Sequence, residues 1–409
     1  MSGVNQSEML VGLDIGTSKV VAVVAEITSE ENIEIIGLGT QPSRGLRNGV
    51  VVDIESTTQA IKKSILEAES MAGCHISSCY VGISGSHIRG LNSEGVVPIT
   101  GGEVTFGDVD RVIETAQAMA IPADQKLLHV LPRDYIIDKQ NGIKEPLGMA
   151  GARLEAKVHL VTCSENSSQN IRKCVIACGL DIEAFVLEQL ASSYSVLTHD
   201  EKELGVCLID IGCGTTDMAV FTEGSISFTD VISIAGDHVT NDIAEALRTP
   251  PSQAEDIKQR YGCAVSSLTQ SEEMMMVPGM GGRPERELSR EALADVLERR
   301  YVEIFSMAQQ KLSLSGFESL IPAGVVLTGG ASKVEGAIEL GEEVFHAPVR
   351  LGSPNTVGGF NEVIHNPVYA TAVGLLLYGH KQMQEDHMNY IHRDKNVFNR
   401  LSRWLGGNL

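Results

Sequence analysis

The sequence contains no hydrophobic run long enough to cross a bilayer. Its longest apolar stretches, such as Val20 to Ala25, fall far short of the ~20 apolar residues that a membrane-spanning helix needs. The N-terminal segment MSGVNQSEML also lacks the basic stretch and the apolar run of a signal peptide. These absences argue against a membrane-spanning or secreted protein, and we expect a cytosolic one.

Paired cysteines are missing as well. The eight cysteines form no C-x-x-C pair and no cysteine/histidine spacing of a zinc site. A disulfide framework and a structural zinc site are therefore not expected. We interpret the cysteines as free buried thiols in a reducing compartment.

Positive charge is in short supply. Lys and Arg number 32 against 53 Asp and Glu, so the formal net charge is −21 at pH 7. The molecule as a whole should repel nucleic acid and anionic membranes, so any such contact has to come from a local basic segment. A length of 409 residues and a hydrophobic fraction of 43% suit a soluble protein of two or more domains.

One phrase occurs twice, as GLDIGTSKVVAVVAE (Gly12 to Glu26) and as LIDIGCGTTDMAVF (Leu208 to Phe221). Each copy is an apolar run, a turn of glycines and hydroxyl residues, and a second apolar run, which predicts two strands joined by a phosphate-binding hairpin. Asp14 and Asp210 end the first strands, where each carboxylate is suited to hold a hydrated Mg²⁺. The predicted nucleotide ligands of the hairpins are Gly16, Thr17, Ser18, Lys19, Gly212, Gly214, Thr215, Thr216 and Asp217.

A third glycine-rich turn lies in GVVLTGGASKVEGAIEL (Gly324 to Leu340). A β-like run enters Gly329 and Gly330, and Ser332 is predicted to cap a helix that begins near Lys333. The bare backbone from Gly329 to Ala331 would accommodate a nucleoside. Each of these turns alone is commonplace, but together they predict two duplicated α/β halves around one nucleotide cleft.

These three segments, in this order and spacing, resemble the phosphate-1, phosphate-2 and adenosine motifs of the actin, heat-shock chaperone and sugar kinase ATPase superfamily. LEQLASSYSVL (Leu187 to Leu197) resembles its first connecting helix, which implies that the catalytic residue Glu188 faces the γ-phosphate. AGDHVTNDIAEAL and PPSQAEDIKQRYG resemble the segment that touches the nucleoside, which implies roles for Gly236, Glu255 and Lys258. Glu255 and Lys258 are three residues apart and should share one helix face.

Other segments narrow the resemblance to FtsA, the family of actin-like bacterial cell division proteins. They include PSRGLRNGVVVDIEST, ELGVCLIDIG, GGRPER and VVLTGGAS, and the similarity thins only after Tyr378. The resemblance implies an actin-like fold with an inserted subdomain, binding of ATP and Mg²⁺, and slow or absent hydrolysis. It also implies a peripheral protein at the division septum that tethers FtsZ filaments to the cytoplasmic face of the inner membrane, polymerises and helps to recruit other division proteins.

The main alternative is a small-molecule kinase of the same superfamily, and a heat-shock-type chaperone is a weaker one. The kinase would need a carboxylate base beside an acceptor-sugar pocket, for which we find no candidate. The chain ends soon after the ATPase, which leaves no substrate domain for a chaperone.

The resemblance also implies a division of the chain. The predicted parts are the first half at 1–84 and 163–203, the inserted subdomain at 85–162, the second-half core at 204–235 and 319–358, the nucleoside and FtsZ-binding subdomain at 236–318, a return to the first half at 359–380, a flexible linker at 381–394 and an amphipathic helix at 395–409.

Two residues depart from the family and superfamily patterns. Cys213 stands where the second hairpin more often has Gly, which adds a Cβ near the phosphates. Gln189 stands where related ATPases often place Pro after the Glu. Since Gly212 and Gly214 remain, we expect nucleotide binding to survive, with altered affinity or turnover.

A charged helix is predicted between Arg283 and Leu312, with Ser289 as its N-cap. Its arginines alternate with glutamates, which by itself is typical of a solvated helix face. In FtsA this subdomain receives the acidic and apolar C-terminal peptide of FtsZ. The resemblance therefore implies that this peptide binds Arg286, Arg290, Arg299 and Arg300.

The end of the chain is basic and amphipathic. From Arg393 onward it has four basic residues and one acidic residue, and its apolar residues fall within an arc of about 120° at helical spacing. The alternative is a helix packed on its own domain, but the polar linker before it favours a helix that lies on anionic inner-membrane lipids. The predicted membrane-binding residues are Val397, Phe398, Arg400, Leu401, Arg403, Trp404 and Leu405.

Overall fold

The computed structural model describes residues 9–28, 32–270, 272–360, 363, 365–385 and 387. In chain order the strands are β1 (Met9–Ile15), β2 (Lys19–Ile27), β3 (Ile33–Pro42), β4 (Leu46–Arg47), β5 (Val50–Val51), β6 (Ser78–Ile83), β7 (Arg89–Pro98), β8 (Gln125–Ile137), β9 (Gln140–Ile143), β10 (Arg153–Ser164), β11 (Asp181–Leu187), β12 (Val206–Ile211), β13 (Thr216–Thr222), β14 (Ser225–Ile232), β15 (Met274–Val277), β16 (Arg286–Ser289), β17 (Val325–Thr328) and β18 (Val349–Leu351). The helices are α1 (Ile54–Ala72), α2 (Phe106–Gln117), α3 (Glu165–Ala177), α4 (Glu188–Val196), α5 (His199–Leu204), α6 (Gly236–Ala246), α7 (Pro251–Tyr261), α8 (Arg290–Ser315), α9 (Ala337–Phe345) and α10 (370–385).

The first half is built on a five-stranded sheet in the order β3-β2-β1-β6-β11. β1 is antiparallel to β2 and parallel to β6. Every residue from Val20 to Ala25 in β2 is fully buried, because α1 covers one face of the sheet and α10 covers the other. Burial on both faces explains why this strand is a continuous apolar run instead of an alternating one.

The second half repeats this arrangement with a sheet in the order β14-β13-β12-β17-β18. β12 is antiparallel to β13 and parallel to β17, so it occupies the place that β1 has in the first sheet. The two copies of the repeated phrase therefore form equivalent hairpins, β1–β2 and β12–β13. The prediction of an actin-like fold with duplicated α/β halves is confirmed.

A four-stranded antiparallel sheet, β7-β10-β8-β9, carries α2 and lies between β6 and α3 in the chain. Its core contains Val112 and Ala116 of α2 against Leu154 and Ala156 of β10. Helix α2 packs on this sheet. Thr105 caps it by accepting a hydrogen bond from the Asp108 amide at 3.3 Å.

Helices α6, α7 and α8 and the hairpin β15–β16 form the helical part of the second half. Ser289 caps α8 as predicted, and its hydroxyl accepts a hydrogen bond from the Ala292 amide at 3.3 Å. The helix begins directly after this cap, at Arg290. Residues Arg286–Ser289, before it, pair with Met274–Val277 as a strand that was not predicted.

The turn after β17 differs from its prediction. Gly330–Lys333 is a 3-10 turn in which the Ser332 hydroxyl donates to the Gly329 carbonyl at 2.7 Å. Ser332 therefore caps no α-helix, and α9 begins at Ala337. Gly336, at a φ of 79°, redirects the chain between the turn and this helix.

The described residues cover only part of the predicted C-terminal segments. Helix α10 continues through 385, so the linker predicted at 381–394 begins as helix, where Lys381 contacts Tyr194 and Glu385. The amphipathic helix predicted at 395–409 lies outside the described residues. Within the described part of the chain, no helix has the length and apolarity needed to cross a membrane.

Candidate functional site

A cleft of about 1320 Å³ separates the two halves, and both repeated hairpins open into it. The hairpins close in the same way. The Gly16 amide donates to the Lys19 carbonyl at 2.9 Å, and the Gly212 amide donates to the Thr215 carbonyl at 2.9 Å. Two matching turns of glycine and hydroxyl residues thus face each other across one cavity, as phosphate binding from both sides requires.

The two hairpins touch each other. A Cβ atom added to Gly214 would lie 2.5 Å from the Thr17 hydroxyl oxygen, a distance that no real contact allows. The same hydroxyl accepts a hydrogen bond from the Gly49 amide at 3.3 Å. Gly214 is therefore required by the closeness of the hairpins and not only by the turn.

The glycine-rich turn after β17 borders the same cavity. Gly329 has a φ of 88°, and a Cβ added there would lie 2.3 Å from Oδ1 of Asp210. The Tyr301 hydroxyl of α8 donates to the Ala331 carbonyl at 2.7 Å and fixes the other side of the turn. Local sequence offers no signal for Tyr301, because it belongs to the apolar face of a long helix.

Glu255 and Lys258 share one face of α7, as predicted, and form an ion pair of 2.6 Å. The Lys258 ammonium also donates to the Thr240 hydroxyl at 2.8 Å and to the Gly236 carbonyl at 3.1 Å. This network joins α7 to the start of α6. Helices α6 and α7 both line the cleft beside the turn at Gly329.

Three buried carboxyl groups, those of Asp14, Asp210 and Asp217, lie at the centre of the cleft with the half-buried Glu188 and Lys19. Burial, offset by Lys19 and reinforced by Asp210, raises the pKa of Asp14 to about 6. Burial raises the pKa of Asp217 to about 7 and the pKa of Glu188 well above its ordinary value. Burial also raises the pKa of Asp210, and it lowers the pKa of Lys19 to about 8.

The donor set of the cleft fits Mg²⁺ held jointly by protein and phosphate. A cation among these carboxyl groups would favour their ionised forms and so offset the cost of burying them. Among the described residues, no group of three or more His, Cys, Asp or Glu side chains could hold a metal ion alone. That arrangement suits Mg²⁺, which usually takes one or two carboxylates and completes its shell with water and phosphate oxygens. Asp14 and Asp210 are the residues that would hold it.

Nearly all of the residues predicted from sequence for the nucleotide border the cleft. They are Asp14, Gly16, Thr17, Ser18, Lys19, Glu188, Asp210, Gly212, Gly214, Thr215, Asp217, Gly236, Glu255, Lys258, Gly329, Gly330 and Ala331. Thr216 differs, because it is fully buried and its hydroxyl donates to the Ile234 carbonyl at 2.8 Å. It belongs to the support of the second hairpin and does not face the cavity.

The two departures from the family and superfamily patterns have different surroundings. Cys213 lines the cleft, and its thiol donates to the Asp237 carboxylate at 2.9 Å, so its Cβ is accommodated in the turn. Gln189 is fully buried, and neither atom of its amide group has a partner among the described residues.

The four arginines predicted to bind a partner have unequal surroundings. Arg290 lines the cleft and pairs with Glu273 and Glu335, while Arg300 pairs with Asp242 and Glu303. Arg286 donates to the Leu247 carbonyl. Arg299 is exposed, and the described part of the chain offers it no ion pair. Arg299 is thus the arginine of the four whose charge is least committed to the fold.

The family models that match this chain and its similar relatives agree with each other. Residues 207–374 match the model of the family described as cell division protein FtsA, and residues 85–162 match the SHS2 domain inserted in FtsA. The chain is 59% identical to cell division protein FtsA of Pseudomonas aeruginosa, with both chains covered completely. It is 47% identical to cell division protein FtsA of Escherichia coli K12, over 93% of this chain and 92% of the other.

Two solved structures share the fold at low sequence identity. One is a PilM-PilN type IV pilus biogenesis complex, with a TM-score of 0.66 and 17% identity, over 90% of this chain and 98% of the other. The other is MreB 5 of Spiroplasma citri bound to AMPPNP, with a TM-score of 0.57 and 16% identity, over 94% of this chain and 99% of the other.

Proposed function

The chain belongs to the FtsA family of cell division proteins, and from that premise we propose that it is an ATP-binding membrane adaptor. In this proposal it tethers FtsZ filaments to the cytoplasmic face of the inner membrane at the septum, polymerises and helps to recruit other division proteins. The observation that carries the nucleotide part is the convergence of two equivalent glycine hairpins and a third glycine turn on one cleft. The fold neighbour crystallised with AMPPNP supports it.

In the proposed complex the phosphates lie between the hairpins that begin at Gly16 and Gly212, whose backbone amides suit anions. Asp14 and Asp210 would hold Mg²⁺, which would supply positive charge to neutralise the phosphates. The nucleoside lies against the bare backbone at Gly329. Each half thus contributes ligands, so a bound nucleotide would favour a closed arrangement of the two halves.

We expect ATP hydrolysis to be slow or absent. Glu188 begins α4 and borders the cleft, where it could act as a general base toward water. Its pKa is raised well above the ordinary value, first by burial and then by the neighbouring carboxylates. We expect the bound nucleotide to set the conformation of the protein more than it turns over, as an adaptor that polymerises requires.

The nucleotide proposal is tested by Asp210→Ala, with ATP affinity measured calorimetrically in Mg²⁺. We expect a strong loss of affinity. Asp230→Ala is a matched control, because Asp230 lies on β14 of the same sheet and pairs with Lys311 away from the cleft residues. Equal ATP affinity in the wild type and Asp210→Ala would show that the cleft assignment is wrong.

The partner proposal places the acidic C-terminal peptide of FtsZ on the helical part of the second half. Arg299 supports it, because this arginine is exposed and unpaired among the described residues. The proposal also includes Arg286, Arg290 and Arg300. Of these, Arg290 and Arg300 already form ion pairs with carboxylates of the protein. We expect them to act mainly by shaping the surface, and Arg299 to act by attraction of the peptide.

The membrane proposal rests on the sequence of the segment 395–409. A lone tail buries its apolar face only partly and must order its backbone, so it should bind anionic lipid weakly. Tails held together in a polymer would share one surface, and their effective concentration would make attachment firm.

Sedimentation with anionic vesicles tests the membrane proposal. Trp404→Glu should abolish binding, because it replaces the largest apolar side chain of the arc with a charge, while ATP binding should persist. Asn399→Glu is the matched control, since it adds the same charge to the polar side. Undiminished sedimentation of Trp404→Glu would show that this segment is not the anchor.

A further inference from the structure

Two hydroxyl groups converge on one oxygen of Asp210. The Ser192 hydroxyl donates to Oδ2 of Asp210 at 2.7 Å, and the Thr371 hydroxyl lies 3.3 Å from the same oxygen. The two hydroxyl oxygens are 3.0 Å apart, so the single proton of Thr371 can go either to Oδ2 or to the Ser192 hydroxyl. All three residues are buried. The Ser192 hydroxyl, supported by Thr371, therefore holds Oδ2 of the carboxylate on the side of the two helices.

The hydroxyl groups come from elements that pack closely on each other. Ser192 belongs to α4 and Thr371 to α10, and a Cβ atom added to Gly374 of α10 would lie 1.9 Å from the Ala191 carbonyl oxygen. The Ser195 hydroxyl donates to the Ala370 carbonyl at 2.6 Å, one turn away from Ser192. The glycine and this bond bring the two helices near enough for both hydroxyls to reach Asp210.

The hydrogen bonds leave the two oxygens of Asp210 unequal. Oδ2 accepts from the helices, whereas Oδ1 accepts no hydrogen bond from any described residue and lies next to the turn at Gly329. Asp14, on the opposite side, receives no hydrogen bond to its carboxylate from the described residues. Among the described residues, hydrogen bonds thus hold one of the two carboxylates that would bind Mg²⁺ and do not hold the other.

We propose that Ser192 and Thr371 are positioning residues that hold Asp210 with Oδ1 toward the cleft, ready for a hydrated Mg²⁺ that accompanies the nucleotide. The inference rests on the proposed nucleotide function and deepens it. Groups that orient a metal-binding carboxylate in this way set metal affinity without touching the metal. Ser192 and Thr371 therefore act on the dependence of nucleotide binding on Mg²⁺, and Ser192, which does not border the cleft, acts on it without touching the nucleotide.

The test compares Ser192→Ala and Thr371→Val with the wild type. ATP binding is measured in a titration of Mg²⁺, and again in EDTA without metal. We expect each variant to need about 10-fold to 100-fold more Mg²⁺ to reach the half-maximal gain in ATP affinity. This is the usual loss of metal affinity when such a hydrogen-bond partner is removed. Affinity for ATP in EDTA should stay unchanged. Thr371→Ser keeps the hydroxyl and should restore the wild-type Mg²⁺ requirement.

Ser193→Ala is the matched control, because it removes an equally buried hydroxyl from the same helix, and that hydroxyl bonds only to the Leu190 carbonyl of α4 at 2.7 Å among the described residues. A merely structural role would move the thermal unfolding midpoint of Ser192→Ala and Ser193→Ala alike and leave both Mg²⁺ requirements equal. That result would overturn this inference and leave the proposed nucleotide binding intact. An unchanged Mg²⁺ requirement in both Ser192→Ala and Thr371→Val would do the same. A wild type that binds no nucleotide would overturn the proposed function, and this inference with it.

Discussion

Asp217 offers a quantitative test of the electrostatics of the cleft. It is almost fully buried on β13, and burial raises its pKa to about 7 although Ser84 and Thr215 donate hydrogen bonds to it. A tenfold change in a proton-binding constant corresponds to about 1.4 kcal/mol, so the difference from the ordinary carboxyl value of about 3.9 amounts to about 4 kcal/mol. That energy opposes folding wherever the group is ionised.

The sign of the pH dependence follows from proton binding. Between about pH 4 and pH 7 the folded protein keeps the proton of Asp217, while the unfolded chain has lost it. The contribution of this group to stability therefore falls as pH rises through that range, and the full penalty is present above pH 7. Asp14, whose pKa is about 6, acts in the same direction.

Asp217→Asn removes the charge and keeps the shape and an acceptor oxygen. We expect it to raise the free energy of unfolding by about 2–4 kcal/mol at pH 8 and to leave it almost unchanged at pH 4. Urea denaturation followed by circular dichroism measures both values without nucleotide. Asp230→Asn is the control, because it breaks the pair with Lys311 and should give no gain at pH 8. An equal gain from Asp217→Asn at both pH values, or a loss at pH 8, would refute the electrostatic argument.

Three further outcomes are expected. Gly214→Ala should weaken ATP binding measured by calorimetry, because its Cβ would lie 2.5 Å from the Thr17 hydroxyl; unchanged affinity would mean that the hairpins do not touch. Gln189→Met should raise the free energy of unfolding by about 1–3 kcal/mol in urea denaturation, because the buried amide it removes is unpaired among the described residues. A less stable variant would indicate a partner for that amide. Arg299→Glu should weaken binding of the FtsZ peptide up to about fivefold at low salt and little at high salt. The charge reversal Lys173→Glu, on the first half, should leave the affinity for the peptide unchanged. Equal losses of affinity in the two variants would indicate a general effect of net charge.

The features that could be predicted from sequence are those that a short segment forms by itself. The hairpins at Gly16 and Gly212 follow from apolar runs interrupted by glycine and hydroxyl residues, a pattern that few other structures accommodate. The pairing of Glu255 with Lys258 follows from helical spacing alone. Because the phrase is duplicated, the convergence of both hairpins on one cleft could also be predicted.

Local patterns failed where distant partners compete with them. Arg286–Ser289 lies before the predicted cap, in a segment for which no strand was predicted, and it becomes a strand because Met274–Val277 offers its backbone a ladder of hydrogen bonds. The charges of Arg290 and Arg300 look free in sequence, yet carboxylates from other elements neutralise them. Whether a charge is available to a partner depends on such neighbours and not on its own segment.

The sequence by itself determined the duplicated strands, the glycine turns and the acidic residues that end the first strand of each hairpin, since these depend on backbone freedom and apolar periodicity over a few residues. Only the tertiary structure decided how those residues are held. Ser192, Tyr301 and Thr371 support the cleft through hydrogen bonds to residues of other elements. Such bonds form only after buried faces have packed together, because the packing brings the donor and the acceptor within reach. The distance between them cannot be predicted from the pattern of a short segment.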